Sequence, residues 1–366
     1  QIIDDPIRGQ AADLLLTRLV RSEPGVQVVG LSAVLGNVSE IGRWLDAEVL
    51  SSGVRPSVLR EGTWCAQHKV FHYRGPEGEW CDESLPMPAG GLDMVLPMAD
   101  GIAQAAGLAI SLVRTGENCL VFLPTRSLTR QFAMAAAEEL GLSGERAAGS
   151  WDELLLAEES LVRDQLMQCL PAGTAFHNSD LSAELRTIVE SKFNSGEIKL
   201  LAATPTLAQG VNLCARNVIQ IPVMLGNGSG GVGTVHRPQV ALALDRYKNQ
   251  AGRAGRLDVK FPFGRSILVA RSHTEATRLA RQYMDTLESA EKPLAPGQPV
   301  EPFVLGMIDA GLATSFSTLL QALRQSYSWR AQGETPETTP MEKALEECLR
   351  QLLEWELLEE GTGHRL

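Results

Sequence analysis

Gly252-Arg253-Ala254-Gly255-Arg256 is the sharpest local feature of this chain, preceded by Tyr247-Lys248-Asn249-Gln250. Arg253 and Arg256 are three apart, so on a helix they share a face. The small residues between them let a ligand come close. Two guanidinium groups on one face form a bidentate receptor for phosphate oxygens. Such arginines offset the negative charge that builds on a transferred phosphoryl group. The competing reading is a surface salt-bridge pair between turn glycines.

Two further stretches are of interest. Ala202 to Ala215 (AATPTLAQGVNLCA) starts where a strand over Lys199–Ala203 is expected to end. Ligands of open α/β sheets bind at strand C-terminal ends. Thr204, Thr206, Gln209 and Asn212 place short polar groups there, and Gly210 lets the backbone approach a ribose or phosphate. An ordinary polar loop reads the same way. In Phe122-Leu123-Pro124-Thr125-Arg126-Ser127, Thr125 and Ser127 suit the start of a helix, whose amides accept a phosphate, and Arg126 adds charge. Simple capping competes with that role. Other patterns fail on spacing. Gly226 to Gly233 has no Gly-Lys-Ser or Gly-Lys-Thr after it, so it is not a P-loop. His68 and His72 lack the Glu of a metalloprotease helix, and no metal site is expected.

The elements that must position these residues follow from periodicity. A helix is expected over 10–21, a buried strand over Val26–Leu31, and a helix containing Ile41, Trp44 and Leu45. Residues 49–100 are rich in Gly and Pro, with short strands at 57–60 and 69–73. Then helices at 101–114, 127–140 and 152–169 alternate with strands at 119–123, 199–203, 218–223 and 267–270. That alternation predicts an α/β fold, a mostly parallel sheet with helices on both faces. Residues 293–302 (PLAPGQPVEP) mark a boundary, followed by helical patterns at 302–310, 315–325 and 341–355 and a short terminal hairpin. Three helices and a hairpin suggest a winged-helix module.

Composition sets bounds on function. The chain has 366 residues and a net charge of −11, which argues against general adhesion to nucleic acid or anionic membrane but leaves room for a local basic groove. No apolar stretch approaches the about 20 residues of a membrane span. The six cysteines form no CxxC pair, so neither a zinc site nor a disulfide framework is expected, and a reducing, cytoplasmic setting is the default. Beginning at Gln1 without Met, the chain reads as part of a longer one.

Taken in order, these segments resemble the C-terminal part of the motor of Ski2-like superfamily 2 helicases of the DExH type. Asp5-Pro6-Ile7-Arg8-Gly9 matches the end of the family's Walker B region, and Gln1 falls on its His position. Ser32-Ala33-Val34 resembles the Ser-Ala-Thr motif, with Val34 lacking the hydroxyl. Phe122 to Arg126 resembles motif IV, and His177 with Leu181 the family's His-x-x-x-Leu segment. TPTLAQGVNLCA resembles motif V, with Cys214 in place of proline, and Asn249 to Arg256 resembles motif VI with Asn249 at the usual glutamine.

The resemblance implies the following. Residues 1–60 are the end of a first RecA-like domain, 61–100 a connector with a hairpin, 101–292 the second RecA-like domain and 293–366 a winged helix. Arg253 and Arg256 act as arginine fingers on ATP, with Asn249, Gly210 and Asn212 in the nucleotide site. Thr125, Arg126, His177, Thr204 and Thr206 meet single-stranded DNA or RNA. Gln1, Ser32 and Ala33 couple hydrolysis to movement. ATP and Mg²⁺ are held mainly by an upstream RecA-like domain, because this sequence contains neither a P-loop nor the Asp-Glu pair; alone it is expected to be inactive. The protein is expected to be monomeric and off the membrane. The other reading is a non-catalytic, helicase-derived binding scaffold.

Overall fold

The structure is a computed structural model that describes residues 9–22, 27–31, 38–50, 57–86, 100–142, 158–208, 213–225, 239–255, 262–285, 300–327 and 340–358. Two helices come first, α1 (Gly9–Ser22) and α2 (Val38–Leu45). Between them, residues 27–31 are irregular, and Val29 and Leu31 are 70% and 93% exposed. The strand expected there is not formed. An apolar strand needs sheet neighbours to cover both faces, and neither sheet among the described residues includes this segment.

The next unit, Gly53–Thr286, is built on one large sheet. Its strands are β1 (Val58–Cys65), β2 (Val70–Arg74), β3 (Trp80–Ser84), β4 (Cys119–Phe122), β5 (Thr174–His177), β6 (Leu200–Ala203), β7 (Asn217–Gln220), β8 (Val223–Leu225), β9 (Gln239–Ala241) and β10 (Phe263–Ala270). The helices between them are α3 (Asp100–Arg114), α4 (Arg126–Leu142), α5 (Leu161–Cys169), α6 (Ala183–Ser195), α7 (Leu244–Ala251) and α8 (His273–Met284). Eight strands order as β3-β2-β1-β10-β7-β4-β6-β5, and β8 pairs with β9 separately. From β1 to β5 every neighbour in that order runs parallel. This is the α/β architecture that the alternation of elements predicts.

The sequence explains why. Strands β4 to β7 have four residues each, all of them buried. Strands with both faces covered by helices lose the polar alternation of a half-exposed sheet. Ala105, Ala106, Leu108, Ala109 and Leu112 of α3 and Phe132, Ala133 and Ala136 of α4 are among the residues that supply the cover. The stretch read as a connector contributes strands of its own. β1 is hydrogen-bonded to β10 along its whole length, from Val58↔Phe263 to Cys65↔Ala270, and β2 and β3 extend it as an antiparallel meander. Trp64 and Phe71, both fully buried, anchor that meander to the core.

The other unit gathers Gln1–Ser52 with Leu287–Leu366. Its later helices are α9 (Glu301–Asp309), α10 (Phe316–Gln325) and α11 (Pro340–Glu354), close to the three expected patterns. Phe303, Val304, Met307, Leu319, Leu323, Leu345 and Leu352 form their common core. Helices α1 and α2 pack here. The buried Asp13 carboxylate accepts from Tyr327 N at 2.9 Å and from Thr17 Oγ1 at 3.2 Å, and Trp44 Nε1 donates to Gln325 O at 2.8 Å. Residues 359–366 of the expected hairpin lie outside the described residues.

Candidate nucleotide and nucleic-acid site

Strands β4, β6 and β5 end in register, with Phe122 opposite Ala203 and Ala203 opposite His177. Leu123 N donates to Ala203 O at 2.9 Å, and Thr204 N to His177 O at 3.2 Å. The residues that follow these strands therefore share one edge of the sheet. Thr125 Oγ1 accepts from Leu128 N at 3.1 Å and caps α4. Arg126 Nη1 and Arg130 Nη1 bind separate oxygens of Asp180 at 2.6 and 2.7 Å. Asn178 ties the same turn to α4, donating to Arg126 O at 3.2 Å and Thr129 Oγ1 at 2.8 Å. The Arg126 side chain remains 60% exposed.

His177 faces inward. It is 5% exposed, and its Nε2 lies 2.8 Å from Glu190 Oε1 on α6. Burial holds its pKa below the ordinary histidine value, with Glu190 acting in the opposite direction. Its imidazole therefore joins β5 to α6, while its carbonyl holds Thr204. Thr204 is itself buried, and Thr206 lies in the short 3-10 turn Pro205–Ala208.

A second cluster forms at the opposite edge. The chain leaves α7 at Ala251 and turns through Gly252–Gly255. Ala215, two residues before β7, donates its N–H to Arg253 O at 3.2 Å and accepts from Gly255 N at 2.9 Å. Gly255 has φ +61° and touches Gly264, the second residue of β10; a Cβ on Gly255 would lie 2.6 Å from Gly264 N. A Cβ on Gly264 would lie 2.2 Å from Gly255 N, so the two backbones require glycine on both sides. Arg253 is 6% exposed and Asn249 9%. Lys248 Nζ pairs with Glu61 at 3.0 Å, and Gln220 Nε2 donates to Tyr247 O at 3.0 Å, which fixes α7 against the sheet.

The predicted residues thus fall into two groups. Thr125, Arg126, His177 and Thr204 come together at the C-terminal ends of β4 to β6, and Arg253 lies at the N-terminal ends of β7 and β10, with Asn249 one turn earlier on α7. At ~3.3 Å per residue, four-residue strands separate those edges by roughly 10 Å. Thr204 is hydrogen-bonded to His177 at the first edge, and Ala215 to Arg253 and Gly255 at the second. Gln1, Ser32, Ala33, Gly210, Asn212 and Arg256 lie outside the described residues. Reasoning from sequence missed Asp180 and Glu190, and also Glu117 and Asn118. The only signal for the last two was a polar pair directly before the apolar run CLVFL. Among the described residues no group of three or more His, Cys, Asp or Glu side chains is placed to hold a metal ion, and no helix is long and apolar enough to cross a membrane.

Residues 104–258 match the model of the helicase conserved C-terminal domain, a span that holds both clusters. An ATP-dependent DNA helicase Hel308 from Pyrobaculum calidifontis is 31% identical over 98% of this chain. The chain belongs to the Ski2-like superfamily 2 helicases. Within that family, Hel308 of Methanocella arvoryzae is 30% identical over 78% of the chain, and that of Aeropyrum pernix 31% over 84%. The chain spans 47%, 35% and 39% of the lengths of these three relatives.

Proposed function

We propose that this chain is the second half of an ATP-driven motor that moves along single-stranded nucleic acid. ATP would lie between this RecA-like sheet unit and an upstream RecA-like domain. Arg253 and Arg256 would face its phosphates, where guanidinium groups stabilise the charge of phosphoryl transfer. The chemistry of Arg253 fits that ligand, and the bonds to Ala215 hold its backbone in a fixed place. The upstream domain would supply the P-loop lysine and the acid for Mg²⁺. Arg126, with Thr125 and the turn holding Asp180, would meet the nucleic-acid backbone at the other edge. Backbone contacts carry little base information, so low sequence specificity is expected. The relatives are named DNA helicases, which favours DNA as the strand.

The observation that carries this reading is where Thr204 and Ala215, two residues of one motif, are held. Thr204 is bonded to His177 O at the Arg126 edge, and Ala215 to Arg253 O and Gly255 N at the other. One motif held at both edges is what a motor needs if nucleotide state is to alter grip.

The test is ATP turnover by the full-length protein, with and without single-stranded DNA and RNA, beside an Arg253→Ala version. Stimulated turnover that collapses in the variant supports the motor. A folded, nucleotide-binding protein without turnover would instead indicate a helicase-derived scaffold. The 366-residue chain alone is expected to turn over no ATP, since it contains no P-loop; robust turnover by it would sink the motif assignment.

A further inference from the structure

We infer that Asn118 and Glu117 are positioning residues for Arg253. This rests on the reading of Arg253 as a phosphate-facing group. Asn118 stands immediately before β4 and is 8% exposed. Its Oδ1 accepts from Arg216 N at 2.8 Å and its Nδ2 donates to Cys214 O at 3.4 Å. Its carbonyl accepts from Asn217 N at 3.2 Å. Glu117 holds the side chains of the same segment: it accepts from Asn217 Nδ2 at 2.8 Å and forms an ion pair with Arg216, whose Nε lies 3.0 Å away. It also accepts from Arg265 Nη1 at 2.8 Å, and Arg265 N donates to Arg216 O at 2.7 Å.

Cys214, Arg216 and Asn217 are therefore all gripped by one dipeptide. Ala215, between them, is the residue that exchanges two backbone hydrogen bonds with Arg253 and Gly255. The height of the arginine's backbone is set through that chain of contacts. A purely structural role in strand pairing does not account for the Asn118 side chain. The register of β7 on β4 is already fixed from Cys119↔Asn217 to Phe122↔Gln220 by backbone bonds. The side-chain amide acts only on residues 214 and 216, which precede the strand.

The experiment uses the full-length motor and measures ATP turnover saturated with single-stranded DNA, together with DNA affinity. Asn118→Leu should lower kcat by about 10- to 100-fold, the cost of a misplacement near 1 Å, with KM for ATP changed by less than about threefold. Asn118→Asp keeps the acceptor for Arg216 N and should recover kcat to within about threefold of the parent. DNA affinity should not move, because the Arg126 edge is at the other end of the strands. In an Arg253→Ala background, Asn118→Leu should cost less than about twofold more, since both act on one group. A folded Asn118→Leu protein with parental kcat overturns the proposal, as does a full multiplicative loss in the Arg253→Ala background. Full turnover by Arg253→Ala overturns the underlying reading instead. If Asn118→Leu does not fold, Glu117→Gln carries the same test: an unchanged kcat overturns the proposal, and a lower kcat at constant DNA affinity supports it.

Discussion

The contact between Gly255 and Gly264 allows a prediction worked from geometry. In Gly255→Ala the new methyl sits at φ +61°, and the left-handed region costs a non-glycine residue ~1–2 kcal/mol. The same methyl lies 2.6 Å from Gly264 N and 2.8 Å from its Cα. Backbone does not yield as a flexible side chain does, and overpacking of this kind costs ~1–3 kcal/mol. The total is ~2–5 kcal/mol. Gly264→Ala carries no left-handed cost, but its methyl would lie 2.2 Å from Gly255 N and 2.5 Å from Ala254 C. Only separation of the two segments relieves that, and separation stretches the Gly255 N to Ala215 O bond, worth ~1 kcal/mol. Its total is ~2–4 kcal/mol. Gly116→Ala is the control. Gly116 has φ +85° and an added methyl would meet nothing within 4 Å, so it incurs the backbone cost alone, ~1–2 kcal/mol.

Thermal unfolding of the sheet unit reads these differences, at ~2–4 °C per kcal/mol for a unit of this size. Gly255→Ala and Gly264→Ala should each fall well below Gly116→Ala. The double variant should cost less than the sum of its parts by ~1–2 kcal/mol, because either methyl already forces the same separation. If Gly264→Ala melts with the parent, or the two alanines add without coupling, the close approach is not what fixes the Arg253 segment.

Three other outcomes are expected. Asp180→Asn removes the charge that holds Arg126 and Arg130, so single-stranded DNA should bind several-fold tighter and with a steeper salt dependence by anisotropy titration; an unchanged salt slope would separate this edge from phosphate binding. Burial depresses the His177 pKa, so the unfolded chain takes up that proton first. Stability from this group should be level above the unfolded pKa of ~6.5, fall by at most ~1.4 kcal/mol per pH unit below it, and level off beneath the folded pKa. Urea midpoints across that range should lose this slope in His177→Gln; an identical slope would assign it to another group. Burial pushes the Cys169 thiol up to about 12 and raises that of Cys119 as well, whereas Cys81 is partly exposed. A thiol reagent should therefore modify native Cys81 well before Cys119 or Cys169, and rapid loss of all three would mean the core opens.

Periodicity made most of the sheet unit legible. CLVFL and KLLAA are short apolar runs, and the helix at Gly101–Arg114 carries its small and apolar residues at helical spacing. Strand β5 was hidden because Thr-Ala-Phe-His mixes small and polar types, and its burial comes from α4, α5 and α6 around it. The meander is legible only in part: the strands expected at 57–60 and 69–73 correspond to β1 and β2, but β3 and the far half of β1 are not marked. Arg60, Glu61 and Glu83 interrupt its apolar pattern, and they are tolerated because Arg60 pairs with Glu83 and Glu61 with Lys248. The strand expected at Val26–Leu31 shows the converse: apolar content alone does not make a strand without neighbours. For the site, motif order names candidate segments, but not that His177 turns inward to Glu190 or that Thr125 is engaged as a cap. Those outcomes depend on partners distant in sequence.

Charge placement bears on how an acidic chain could grip an anion. Arg60, Arg216 and Arg265 converge on the Phe263 ring, with guanidinium carbons 3.6, 4.7 and 4.9 Å from its centroid. Glu83 and Glu117 sit among them. Burial alone would raise the Glu83 carboxyl, but hydrogen bonds from Arg265 and Arg60 outweigh it and hold the group below the usual carboxylate range. Three arginines against two glutamates leave one net positive charge, so most of the cluster's charge goes into fastening the meander to the sheet. With a net charge of −11, long-range attraction to nucleic acid is weak, and beyond a screening length of about 8 Å it is weaker still. On the proposed reading, grip would fall to exposed cations such as Arg126, which is already shared with Asp180. A phosphate at Arg126 would compete with Asp180 for the same guanidinium charge, so the net gain from that contact would be small. A contact of that kind would be readily released, as the proposed strand-stepping would require.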